Sequence, residues 1–133
     1  HMIALQAFMA VAMAILLIAA PVSAPPAIDI NHLFQHWVRS YEEEQPGRAV
    51  QVFRPALSKQ FPPSRFRMAY KFARNGKCEW YVLSPDDAHH FDACTWSVAA
   101  GDNTRLQIAE AGATSSFKIV ELSGTLLRLE PLE

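Results

Sequence analysis

No Lys, Arg, Asp or Glu stands before Asp29 in this chain of 133 residues, and residues 2–20 carry one polar side chain, Gln6. That absence excludes an amphipathic surface helix there, because such a helix needs a polar face. As a helix the run rises roughly 28 Å, about one hydrocarbon thickness. Val22-Ser23-Ala24 then supplies the small residues that a signal peptidase reads. Residues 1–24 are therefore expected to be an apolar helix, either a secretory signal or an uncleaved membrane anchor. The expected location is secreted, periplasmic or membrane-anchored, with residues 2–20 as any membrane contact.

An excess of one charge is also missing. Twelve basic and thirteen acidic residues leave a net charge of −1, so there is no basic footprint for nucleic acid. No CxxC, GxGxxG, P-loop or HExxH occurs, so no redox, dinucleotide, nucleotide or metalloprotease motif is available. No cofactor is expected. Cysteine is scarce: only Cys78 and Cys94. In an exported chain an even number suggests a disulfide. The pair is symmetric about residue 86, so a hairpin centred there sets the two residues directly opposite, within disulfide range.

What remains is punctuated for strands. Ala24-Pro25-Pro26 is a short stiff linker, and Asp29 or Asn31 can cap one or two helical turns through Gln35. After that, Val-, Ile-, Phe-, Tyr-, Trp- and Thr-rich segments recur between turn residues. Strands are expected at about 36–44, 48–54, 64–73, 77–84, 90–98, 104–110, 115–122 and 125–131. Asn75-Gly76 is the strongest hairpin signal, and Pro85-Asp86, Gly101-Asp102, Ala111-Gly112 and Ser123-Gly124 mark further turns. Alternation puts Phe66, Met68, Tyr70 and Phe72 on one face, and Leu106 with Ile108 and Leu127 with Leu129 on others. Eight strands with mostly short links imply an all-β, antiparallel, up-and-down barrel over residues 36–133, preceded by the leader and by a linker with a short helix at 25–35.

The segments HWVRSYEEEQ, VFRP, FPPSRFR, YKFARNGKCEW, LSPDD and CTWSV, in this order and spacing, resemble a family of small lipocalin-like (calycin) domains. The resemblance spans Trp37 to Trp96, with Phe117–Leu122 as a plausible continuation. Phe66 and Cys94 stand where the family pattern has glycine, and Cys78 where it has a large apolar residue. The resemblance implies a calycin-like barrel, a fold that more often binds than catalyses, with Trp37 plugging its closed end.

A barrel of eight strands leaves room for side chains or for one small ligand. Trp80, Trp96, Tyr70, Phe72 and Met68, with Phe66, are the expected apolar lining, large aromatics being the main ligand contacts. Strand alternation through residue 44 sends at least one of Glu42, Glu43 and Glu44 inward, where it needs a partner among Arg54, Arg65 and Arg67. That set closes the barrel end or holds a ligand's polar group. His32 and His36 have i, i+4 spacing without an evident third ligand, and Asp86, Asp87, His89, His90 and Asp92 fit a solvated turn, so no metal is expected. No nucleophile motif is present and no catalytic residue is assigned. The expected function is binding of a small apolar or amphipathic molecule. The alternatives are an isomerase or cyclase using a cavity acid, and an interaction or scaffold protein whose barrel is filled by its own side chains.

Overall fold

The computed structural model describes residues 28–83 and 89–132. The expected leader, the Ala24-Pro25-Pro26 linker and the turn at Pro85-Asp86 lie outside them.

Eight strands form: β1 His36–Arg39, β2 Gln51–Pro55, β3 Ala69–Phe72, β4 Lys77–Val82, β5 His90–Ala99, β6 Asp102–Glu110, β7 Ala113–Leu122 and β8 Leu127–Pro131. They close into a barrel of antiparallel neighbours in the order β1-β2-β8-β7-β6-β5-β4-β3. From β3 to β8 the chain runs strictly up and down. β1, however, lies between β2 and β3, pairing Val38 with Arg54 on one side and with Ala69 on the other. β2 and β3 therefore run the same way, and residues 56–68 return the chain from one end of the barrel to the other. Closure leaves no strand edge unpaired.

The turns follow local chemistry. In the β3–β4 hairpin Gly76 has φ +81, and the Asn75 side chain accepts the Lys77 backbone N–H at 3.2 Å. Glu110 pairs with Ala113 across a two-residue link in which Ala111 and Gly112 both have positive φ, +51 and +77. That is the hairpin geometry whose twist matches the strands. Ala111 carries a Cβ into the left-handed region, which disfavours it.

The expected strands β1 and β3 are shortened most. β1 ends at Arg39, not residue 44, because Tyr41–Glu43 turn into a 3-10 helix after Ser40 donates its backbone N–H to Val52 O. β3 begins at Ala69, not residue 64, after Pro62-Pro63, which have no N–H to give a ladder.

The interior follows the period of two. Trp37, Tyr70 and Trp80 are cross-strand neighbours, as are Phe72, Cys78 and Cys94. Trp37, Phe53, Leu106, Ile108, Leu127 and Leu129 are wholly buried. Each such side chain contributes roughly 1.5–3 kcal/mol by burial.

Candidate binding site at the open end

One end of the barrel is sealed. Asp29 caps the 3-10 turn Ile30–Leu33 by accepting the Asn31 N–H at 3.0 Å. Leu33 is wholly buried and its carbonyl accepts the Trp37 indole N–H at 3.0 Å. Gln35 ties the turn to the β7–β8 link through Gly124 O at 3.2 Å. Trp96 belongs to this end. Its indole N–H donates to Ala73 O at 2.8 Å, and its ring lies against Phe34 and Phe72. Trp96 and Phe72, expected as ligand contacts, are thus floor residues already packed on one another.

The opposite end is different in kind. The inward row of β6 runs Leu106, Ile108, Glu110, so period two brings a carboxyl to the rim of an apolar interior. Its Oε2 is buried without a hydrogen-bond partner among the described residues. Burial pushes the Glu110 pKa above the ordinary carboxylate value. The inward row of β4 places Trp80 beside Tyr70 and opposite Asp92. The Trp80 indole N–H is likewise buried and unpartnered among the described residues. Tyr70 is buried, and its hydroxyl pKa is raised first by burial and then by the Glu110 charge, with Arg39 acting the other way. Glu110 and Arg39 therefore both lie within electrostatic reach of the Tyr70 hydroxyl. Met68 and Trp80 pack partly buried against the core cluster here, while the Asp92 side chain is 50% exposed and pairs with His90 at 3.0 Å.

The three glutamates form the outer rim. The strand that would have turned one inward has ended, and each carboxylate takes its own arginine. Glu42 receives two hydrogen bonds from Arg67, at 2.9 and 2.7 Å. Arg67 also donates to Arg39 O at 3.0 Å and to Pro62 O at 2.6 Å, binding the 56–68 excursion to β1. Glu43 is gripped by Arg54, at 2.7 Å to Oε1 and 3.0 Å to Oε2, and accepts the Ser40 hydroxyl at 2.7 Å. These hydrogen bonds, from Arg67 and Arg54 respectively, hold Glu42 and Glu43 down to about 2. Glu44 pairs with Arg39 and accepts the Val52 N–H at 3.0 Å. The Arg39 guanidinium lies 4.7 Å from the Tyr41 ring centre and 5.9 Å from that of Phe53, so it roofs the packed interior.

Of the sequence-derived set, the structure brings Tyr70, Trp80 and Met68 together at the open end. Trp96 and Phe72 lie at the floor, and Glu42 and Arg54 lie in rim and outer-wall ion pairs. Arg65 is exposed and makes no hydrogen bond or ion pair among the described residues. Phe66 lies outside the barrel, stacked on Tyr81 at 5.5 Å, because Tyr81 is on the face of β4 opposite to Trp80. Glu110 and Arg39 were not singled out, although extending the alternation of Ile108 and of Trp37 by two residues points to them, and Asp92, expected in a solvated turn, lies in β5 opposite Trp80. Cys78 and Cys94 form the expected cross-strand disulfide, with Cα atoms 4.8 Å apart. A disulfide is compatible with an extracellular or periplasmic location.

The end opposite the plug thus gathers aromatic rings, one buried indole N–H and one buried carboxyl whose pKa burial raises. No family model, curated protein or solved structure matches the chain.

Proposed function

We propose that this chain is a small lipocalin-like binding barrel that works outside the cytoplasm or anchored to a membrane, holding a small amphipathic molecule in its open end. One observation carries the reading. Inward positions at the sealed end are solidly packed, whereas those at the open end hold two buried polar atoms without partners among the described residues, Trp80 Nε1 and Glu110 Oε2. A buried polar atom left unpaired costs about 1–3 kcal/mol, and a ligand hydroxyl, carbonyl or carboxyl removes that cost. The ligand's apolar part rests against Trp80, Tyr70 and Met68. Burial raises the Glu110 pKa, which disfavours a second negative charge beside it and favours an uncharged polar group. Because the lower half is full, the ligand is short. An isomerase or cyclase would use Glu110 as its acid.

Titration of the protein with medium-chain fatty acids, fatty alcohols, retinol and haem, followed by tryptophan fluorescence, tests the reading. Saturable quenching by at least one, weakened about tenfold or more in Glu110→Gln and Trp80→Phe, supports it. No response from any of them contradicts it and leaves a filled barrel with a scaffold role.

A further inference from the structure

We propose a second site, on the outer wall over β2 and β8, that takes a phosphate-bearing small group. A cleft of about 290 Å³ lies there, distinct from the barrel interior, lined by Arg48, Arg54, Arg128, Glu43 and Gln45 over Val50, Val52 and Leu126. Val50 and Val52 are buried although they belong to the outer face of the wall, so the floor of the cleft is apolar.

The charges do not cancel. Arg48, Arg54 and Arg128 face one lining carboxylate, Glu43. That carboxylate is already bound by Arg54, and Lys59 lies 3.6 Å from it. Glu121 holds Arg128 at 3.3 Å. Counting these neighbours, four cations meet two carboxylates, an excess of two positive charges on a chain whose net charge is −1. Arg54 is fixed, its Nε and Nη2 on Glu43 and its Nη1 on Thr125 O at 2.9 Å. Among the described residues the Arg48 guanidinium is bound only by a neutral group, the Gln45 Oε1 at 3.4 Å. One guanidinium is therefore pre-set and another is held weakly enough to turn onto a ligand.

The guanidinium fork matches the oxygens of a phosphate, and an apolar floor suits the carbon body of a phosphate ester. The same chemistry is offered by a soluble phosphate monoester and by an anionic lipid headgroup. It is independent of the amphipathic ligand in the open end, since none of Arg48, Arg54 and Arg128 lines that end.

Calorimetric titration of the full chain with phenyl phosphate, alongside flotation with phosphatidylglycerol and phosphatidylcholine vesicles, tests the proposal. Arg48→Ala and Arg128→Gln are the variants, and both positions are on the outer wall, so a thermal melt like that of the parent is expected. Saturable phenyl phosphate binding that falls about tenfold or more in each variant supports a soluble ester. A flat titration with flotation that prefers phosphatidylglycerol and loses the preference in the variants supports a headgroup. No saturable binding and no charge preference, or binding unchanged in Arg48→Ala, overturns the proposal.

Discussion

Cys78 on β4 and Cys94 on β5 stand directly opposite one another, their side chains joined inside the barrel. The bond joins residues 16 apart in sequence, across the β4–β5 connection. In the chain-entropy account such a loop contributes about 3 kcal/mol. The Cys78→Ala, Cys94→Ala double variant should lose about that much in urea unfolding, and unreduced parent protein should show no free thiol. Two titratable thiols in native protein would contradict the bond.

Acid should weaken the rim before the core. Glu42 and Glu43 sit at about 2 in the folded chain against an ordinary value of 4.5. Folded-state values below the unfolded ones mean that their stabilisation is complete above about pH 4.5 and is lost as pH falls toward 2. Stability measured by urea unfolding between pH 5 and 2 should fall less steeply in Glu42→Gln, Glu43→Gln than in the parent. Equal slopes would show that the two ion pairs do not govern acid sensitivity.

The link at Ala111 is a site where the sequence departs from the preferred residue. A two-residue turn with both φ positive favours Asn-Gly, and Ala111 holds φ +51. Ala111→Asn should raise stability by about 0.5 kcal/mol, read as a small increase in Tm. A decrease would mean that the Ala111 methyl makes a contact worth more than the relief of the backbone.

The two barrel ends should answer differently to truncation. Leu33→Ala removes a wholly buried plug side chain and should cost about 2.5–5 kcal/mol. Trp80→Phe keeps a ring while deleting an N–H that has no partner among the described residues, so its cost should stay below about 1.5 kcal/mol. A larger loss at Trp80 than at Leu33 would place the structural plug at the wrong end.

How far the sequence reaches can be judged at individual residues. Asn75-Gly76 and the Cys78–Cys94 symmetry were legible because each rests on a local rule of turn chemistry or hairpin register. The strand pattern was legible because period two marks burial, and it holds for Leu106, Ile108, Leu127 and Leu129. Phe66 looked like a continuation of Met68, Tyr70 and Phe72. The ladder begins only at Ala69, and Phe66 stacks on Tyr81 instead. Where β1 ends was hidden because it depends on arginines distant in sequence, Arg54 and Arg67, which draw Glu43 and Glu42 to the rim. The exchange of β1 and β2 in the sheet order is a tertiary choice; the thirteen residues from 56 to 68, a long link beside the others, are its sole trace. Trp96 and Trp80 look alike in sequence. Only the carbonyl of Ala73 against the first, and no partner for the second among the described residues, separates floor from mouth.

That difference gives the most direct test of the binding reading. Three indole N–H groups are present, and two are engaged, Trp37 with Leu33 O and Trp96 with Ala73 O. Nitrogen–proton correlation spectra of the labelled protein should show the Trp80 indole resonance moving downfield as a medium-chain fatty acid or alcohol is added, with the Trp37 and Trp96 indoles nearly still. A Trp80 indole that does not respond to any amphipathic probe, or indoles of the sealed end that shift as much as it does, would contradict an open-end site.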